Sequence, residues 1–248
     1  MYNPFTLQGK TILITGASSG IGRATAIECA KMGAKVVITG RNESRLNDTF
    51  NQLEGEGHIQ LVADLKSKDD ILELIAKMPV LDGCVNNAGI VKTALTQFIT
   101  EDGLDEVLKV NTIAPIMLTQ LLIKNKKLQK KSSVVFTSSI SGVYSAIVGN
   151  AIYSVSKGAI NGFVKNAALD LASKQIRVNS VNPGMISTDI LTDGTISEEQ
   201  LEEDKKKYPL KRYGKPEEVA FAIIYLLSDA SAWVTGTSLL IDGGFTLQ

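Results

Sequence analysis

Tyr153 and Lys157 stand four residues apart in Tyr153-Ser154-Val155-Ser156-Lys157, a spacing that stacks them on one face of a helix. Free tyrosine, with a pKa of about 10, is a poor proton donor at neutral pH. An ammonium about 4 Å from the phenolate would favour it by about 4 kcal/mol at an effective dielectric near 20, before desolvation is subtracted. One lysine is therefore enough in principle to make Tyr153 an acid–base group. Alone, this spacing is common on protein surfaces, so its meaning rests on what accompanies it. Histidine is almost absent: His58 is the single one. Ser-His-Asp and Cys-His machinery would have to run through it, and multi-histidine metal sites are excluded. Proton transfer is left to Tyr, Lys, Asp, Glu or Ser.

A second chemical feature lies near the start. Thr15-Gly16-Ala17-Ser18-Ser19-Gly20-Ile21-Gly22 follows an apolar, β-branched run and opens a helical pattern. Glycines in such a turn let a phosphate approach the backbone, and the helix N-terminus adds free N–H groups and a positive dipole end. No Gly-Lys-Ser/Thr follows, which excludes a Walker ATP loop. About twenty residues on, NAD-binding folds offer an acid to the ribose 2′-hydroxyl. Here the chain reads Ile38-Thr39-Gly40-Arg41-Asn42, with Gly40 near the acid's place and a cation after it. Arg41 is either a solvated surface residue or a partner for a 2′-phosphate.

Seven strand-like runs must position these residues: Thr11–Thr15, Lys35–Thr39, Ile59–Val62, Leu81–Asn86, Ser133–Thr137, Ile176–Val181 and Ser238–Ile241. Helical patterns lie near 20–32, 43–54, 67–77, 101–128, 153–174 and 216–228. Continuous apolar strands alternating with helices predict a doubly wound α/β fold, with a mostly parallel sheet covered on both faces. No repeat or linker divides the chain, which reads as one domain over 1–248. The alternation weakens between Met185 and Pro216, and a stretch that long suggests a lid, at about 185–215, over a site. Its run Glu202-Glu203-Asp204-Lys205-Lys206-Lys207 reads as a solvated helix with Glu202–Lys206 and Glu203–Lys207 pairs.

The composition agrees with an ordinary globule. The chain has 248 residues, 44% hydrophobic and 21% charged, and its 26 basic and 26 acidic residues cancel. That balance gives no support to nucleic acid or an anionic membrane as partner. The stretch between Lys131 and Lys157 lacks charge but is too rich in serine and glycine to span a bilayer. With no visible targeting segment, the chain reads as cytoplasmic. Cys29 and Cys84 form no CxxC pair and read as small core residues, His58 as exposed, and Trp233 as packing.

Taken together and in order, these pieces resemble the short-chain dehydrogenase/reductase family over essentially the whole chain. The matching residues are the Thr15–Gly22 loop, Asp64, Asn86-Asn87-Ala88-Gly89, Asn111, Ser138-Ser139, Tyr153 with Lys157, Pro183-Gly184 and Ile241-Asp242-Gly243-Gly244. The resemblance implies a Rossmann sheet of about seven strands that reduces a carbonyl with hydride from NADPH, NADH being the lesser expectation. Tyr153 would give its proton to the carbonyl oxygen and Ser139 would hydrogen-bond that oxygen, with Ser141 the competing assignment. Lys157 would lower the tyrosine pKa and hold the nicotinamide ribose, and Asn111 would support a relay water. Gly16, Ser18, Ser19, Gly20, Ile21 and Gly22 would cradle the phosphates. Asp64 with Leu65 would meet the adenine, and Asn87, Ala88 and Gly89 would line the adenosine side. Pro183 and Gly184 would flank the nicotinamide, with Ile186 and Thr188 beyond them on the cofactor. Many NADP-using relatives carry a second basic residue where this chain has Ser19. No metal is implied.

The chain looks most like β-ketoacyl-acyl-carrier-protein reductases. Lys124, Lys126, Lys127, Lys130 and Lys131, with Lys174 and Arg177, could receive an acidic acyl carrier protein or could simply complement helix C-termini. A dehydrogenase of a steroid, sugar or other small alcohol is the alternative, and a cofactor-binding protein without turnover is the reading from another class. Segment 104–123 is apolar around most of its circumference and 153–172 is similar, so a homotetramer, or a dimer, is expected to bury them.

Overall fold

A computed structural model describes residues 2–188 and 197–247 of the chain. Seven parallel strands form one sheet in the order β3-β2-β1-β4-β5-β6-β7. They are β1 (Thr11–Thr15), β2 (Lys35–Gly40), β3 (Ile59–Val62), β4 (Leu81–Asn86), β5 (Leu128–Thr137), β6 (Arg177–Pro183) and β7 (Ser238–Ile241). The helices are α1 (Gly20–Lys31), α2 (Glu43–Phe50), α3 (Lys68–Lys77), α4 (Glu101–Leu108), α5 (Ala114–Lys124), α6 (Ala151–Leu171), α7 (Glu198–Lys205) and α8 (Pro216–Leu227). Strand order reverses between β1 and β4, and the crevice outside the carboxyl ends of strands at such a switch is where a ligand fits.

Strand alternation assigns side chains to two cores. Leu13, Cys84, Val134 and Val178 face the layer of α3, α5 and α6, whose Leu74, Leu118 and Val164 they meet. Ile12, Ile14, Val85, Val135 and Val181 face α1, α2 and α8, meeting Cys29, Leu46 and Ile223. Polar caps fix helix starts in the expected way. Asn42 accepts from the Arg45 N–H, Ser67 from Asp70, Thr100 from Gly103, and Ser197 forms a capping box with Gln200.

Several boundaries differ from the sequence reading. The long helix expected over 101–128 is two helices joined by a π-helical turn, Lys109–Ile113, and it ends at Lys124. By length and composition Glu101–Lys124 could cross a membrane, but half of its apolar stretch is buried inside this fold. Strand β5 begins five residues early, at Leu128, because its register against β4 shifts between Leu81 and Gly83. Lys131, in that stretch, takes a left-handed φ of 67°, a conformation no periodicity rule anticipates.

The charged helix α7 is present, but its ion pairs run Glu202–Lys205, Glu203–Lys206 and Asp204–Lys207, three apart rather than four. Glu202 and Glu203 still act through space on Lys206 and Lys207, four residues on. Residues 189–196 of the expected lid lie outside the described residues. His58 is partly buried rather than exposed: its Nδ1 accepts from the Val36 N–H at 3.1 Å and its Nε2 meets the Glu54 carbonyl at 2.9 Å. Trp233 is fully exposed rather than packed. Cys29 and Cys84 are buried free thiols; burial raises both, Cys84 to about 12.

Candidate active site

The carboxyl ends of β1, β2, β4, β5 and β6 open onto one cleft of about 780 Å³. Its floor at the β1 end is the glycine turn. Gly16 and Gly20 have φ of 65° and 51°, which a side chain rarely tolerates. A Cβ at Gly16 would stand 2.8 Å from the Ala88 Cα, and one at Gly22 would collide with the Gly16 carbonyl oxygen. Gly22 therefore does not line the cleft; it lets α1 press against the turn. Ser19 is the N-cap of α1 yet makes no side-chain cap bond, and no acid stands in the first turn. The N–H groups of that turn thus suit an anion. Thr188 closes over this end, its Cγ2 3.2 Å from where a Gly20 Cβ would be.

Thr15 and Asn87 lock the turn to β4. The Thr15 hydroxyl accepts from the Asn87 and Ala88 N–H groups at 3.0 and 3.1 Å, and Asn87 Nδ2 donates to the Thr15 carbonyl at 3.1 Å. Asn87 lines the cleft, but its carboxamide nitrogen serves this lock. Arg23 adds a clamp, donating to the Ser18 carbonyl at 2.7 Å and to the Thr49 hydroxyl at 3.1 Å.

The β2 end of the cleft is cationic. Arg41 and Arg45 are exposed and line it with Gly40 and Asn42. Sequence reasoning missed Arg45; its spacing of four from Arg41, just inside a capped helix, was the available signal. Asp64 and Leu65 line the adjoining wall, and Asp64 Oδ1 accepts from the Lys66 N–H at 2.9 Å. Lys66, also missed, lines the cleft and pairs with Glu106 at 2.8 Å.

Ser139, Tyr153 and Lys157 meet at the other end, where Gly89, Pro183, Gly184 and Ile186 also line the cleft. Helix α6 carries the tyrosine and lysine; the segment after β5 carries the serine. The Ser139 hydroxyl stands beside Tyr153 and favours its ionisation, while it accepts from the Ser141 N–H at 3.1 Å. Ser141 does not line the cleft, and its hydroxyl takes a bond from Asn150 instead. Lys157 Nζ donates to the Thr137 carbonyl at 2.7 Å and lies 5.6 Å from the centre of the Tyr153 ring. Burial holds the Tyr153 hydroxyl above the ordinary tyrosine range, with Ser139 acting in the opposite sense. That corrects the expectation that Lys157 lowers it here: burial dominates the tyrosine, and it also pulls the lysine itself down, to about 8, which leaves it mostly protonated near neutrality.

Asn111 sits in the π-helical turn and does not line the cleft. Its Oδ1 accepts from the Ile90 N–H at 2.8 Å, and its Nδ2 donates to the Ile90 carbonyl at 2.9 Å and to Ser156 Oγ at 3.1 Å. A Cβ at Gly89 would lie 3.3 Å from Asn111 Oδ1 and 3.5 Å from Lys157 Nζ, so these two polar atoms flank Gly89.

The cleft's residues fit an NADP-type dinucleotide. An uncapped helix start faces the phosphate position, cations stand at β2, and the buried hydroxyls of Thr39 and Thr137, both on the cleft, have no partner among the described residues. No group of three or more His, Cys, Asp or Glu suited to a metal occurs among the described residues.

Comparisons with known proteins agree in kind. Residues 16–246 match the family model described as Enoyl-(Acyl carrier protein) reductase. The 3-oxoacyl-[acyl-carrier-protein] reductase FabG of Rickettsia felis is 37% identical over 241 residues, covering 97% of this chain and 98% of that protein. A solved short chain dehydrogenase/reductase family protein superposes with a TM-score of 0.87 at 31% identity, covering 96% of this chain and 98% of that one. A structure from Agrobacterium tumefaciens with bound NADP, assigned there as a 2-deoxy-d-gluconate 3-dehydrogenase, superposes with a TM-score of 0.89 at 30% identity over the full length of both chains.

Proposed function

This chain belongs to the short-chain dehydrogenase/reductase family, and on that premise we propose that it reduces a carbonyl to a secondary alcohol with NADPH, Tyr153 being the proton donor. The observation that carries the reading is the convergence of Ser139, Tyr153 and Lys157 at one end of a cleft whose other end is an anion cradle.

When bound, the coenzyme supplies a hydride to the carbonyl carbon. The chain's own residues do the rest. Tyr153 Oη donates its proton to the carbonyl oxygen; burial keeps the hydroxyl protonated but makes it a weaker acid, so the transfer needs the Lys157 ammonium to stabilise the phenolate. Ser139, beside the tyrosine, hydrogen-bonds the oxygen and steadies the charge that develops there. Lys157 stabilises the phenolate left behind and orients the ribose, while Asn111 holds the Ile90 backbone beside them. Gly16, Ser18, Ser19, Gly20 and Ile21 hold the pyrophosphate, and Arg41, with Arg45, faces the 2′-phosphate.

An apolar acyl thioester is the substrate class we favour. Val91 and Met185 line the cleft, and Val143, Tyr144, Ile147 and Val148 expose apolar surface on the loop between β5 and α6. Such a surface suits a fatty chain better than a polyol. The similarity to 3-oxoacyl-carrier reductases supports this, and the sugar dehydrogenase among the structural relatives keeps a polyol as the second reading. If an acyl carrier protein presents the thioester, the basic cluster 124–131 does not seat it over the same chain's cleft. That cluster lies at the amino end of β5, the end opposite Thr137 and Ser139. A cytoplasmic homotetramer completes the reading. The test is NADPH and NADH consumption with a β-ketoacyl thioester, a steroid ketone and a ketose. Preference for NADPH with the thioester supports the reading, and no coenzyme oxidation with any of them overturns it.

A further inference from the structure

Behind the candidate catalytic groups lies a polar network in which sequence reasoning singled out only Ser138, Ser139 and Lys157. Asn161, one turn after Lys157 on α6, is 5% exposed and its carboxamide is fully engaged. Its Nδ2 donates to Ser138 Oγ at 2.7 Å and to the Lys157 carbonyl at 3.0 Å. Its Oδ1 receives Ser180 Oγ at 3.1 Å, Asn182 Nδ2 at 3.1 Å and Ser238 Oγ at 2.9 Å. The Lys157 carbonyl can only accept and the Asn182 amide nitrogen can only donate, so the orientation of the Asn161 amide is fixed by its partners. Asn182 Nδ2 donates in turn to the Ser139 carbonyl at 2.8 Å, and Ser138 Oγ to the Lys157 carbonyl at 3.0 Å.

These bonds link four elements: the segment directly after β5 that carries Ser138 and Ser139, helix α6 that carries Tyr153 and Lys157, and strands β6 and β7 behind them. The proton donor and the serine beside it come from separate elements. Their separation is therefore set by how α6 docks on the end of β5. Apolar packing between helix and sheet tolerates sliding, whereas a saturated hydrogen-bond set in a buried place has one geometry. An apolar residue would fill the volume of Asn161 equally well but would leave Asn182, Ser138 and Ser180 each short of one buried hydrogen-bond partner.

We propose that Asn161 is a positioning residue: through Ser138 and Asn182 it fixes the register between α6 and the end of β5, and so holds Ser139 at Tyr153. The proposal rests on the reductase reading for its kinetic consequence but not for its geometry. Displacement of catalytic groups by about 1 Å costs up to about 100-fold in rate.

The experiment compares Asn161→Ala in the wild-type and Ser139→Ala backgrounds, using NADPH and a β-ketoacyl thioester. The expected result is a fall in kcat of about 10- to 100-fold for Asn161→Ala, KM for NADPH within about threefold, and an added loss under about threefold once Ser139 is gone. A full loss that persists in the Ser139→Ala background, or an unchanged kcat, overturns the proposal. Ultraviolet difference titration of Tyr153, referenced to Tyr153→Phe, needs no turnover and decides the matter even if the reductase reading fails. The tyrosine should titrate at higher pH in Asn161→Ala, because Ser139 no longer meets it; an unmoved titration counts against the proposal. Should the alanine variant not fold, Asn161→Asp keeps the shape. Its carboxyl donates only while protonated, so kcat relative to wild type should fall with rising pH, and parallel pH profiles would overturn the assignment.

Discussion

Lys157 is a cation placed where the protein would be more stable without it. Burial pulls its pKa from 10.5 to about 8. Below pH 8 both folded and unfolded chains hold the proton, and the folded state carries the whole desolvation penalty. Between pH 8 and 10.5 the unfolded chain binds more protons, so stability rises with pH through that window. Lys157→Met should remove the rise. At pH 7 the variant should unfold at equal or higher denaturant, with up to about 3 kcal/mol gained, less the lost bond to Thr137. By pH 10 the gap should close, while turnover is lost at every pH. Urea melts of both proteins at the two pH values check this; a variant much less stable at pH 7 would show that the lysine is a net structural asset. The spacing of Tyr153 and Lys157 was legible in the sequence. Their environment was not, because burial depends on which strands flank the helix, and that reversed the expected direction for the tyrosine.

Elements carry the specificity. The turn from β2 into α2 puts Gly40, Arg41 and Arg45 at one end of the cleft. A Cβ at Gly40 would lie 3.4 Å from Ser18 Oγ, so an aspartate can be seated there. Gly40→Asp with Arg41→Ala adds repulsion and removes a charge-assisted pair worth about 1.5–3 kcal/mol, a 10- to 100-fold swing toward NADH. The ratio of kcat/KM for the two coenzymes in both proteins measures it, and an unmoved ratio would reduce Arg41 to a surface charge.

The packing of α1 gives a second test. Gly22→Ala forces a methyl into the Gly16 carbonyl and should destabilise by about 1–3 kcal/mol. Gly162→Ala, on an open face of α6, should instead stabilise by about 0.5–1 kcal/mol. Chemical denaturation distinguishes them by sign. Strands β1, β3, β4 and β7 were readable to the residue because apolar runs bounded by glycine and polar turns leave little freedom. The early start of β5 and the π-helical turn at Asn111 were not, since both arise from register against neighbours.

At the scale of the molecule, the single chain leaves apolar surface that its own sheet does not cover. Ile113 and Met117, one turn apart, are 54% and 44% exposed, and Val155 on α6 is 54% exposed. Apolar periodicity over 104–123 had marked this face, although most of that segment packs inward. Light scattering should give four copies of the 26.6 kDa chain. Met117→Lys with Val155→Glu should lower the mass to that of a dimer or monomer. A wild-type monomer at working concentration would refute the assembly. Of the site residues the family resemblance named, all but Gly22, Asn111 and the competing Ser141 line the cleft, because a parallel sheet delivers each strand's carboxyl end to the same edge. Arg45, Lys66 and Asn161 escaped the sequence reading, being defined by what they meet in space.

The central claim is that Tyr153 protonates the carbonyl oxygen. Its most direct measurement is the single-turnover rate of NADPH oxidation by Tyr153→Phe against wild type, with a β-ketoacyl thioester and with NADPH binding measured on both. The account predicts a fall of about 10²–10⁴-fold in rate with coenzyme affinity nearly unchanged. A phenylalanine variant that keeps most of the wild-type rate would contradict it.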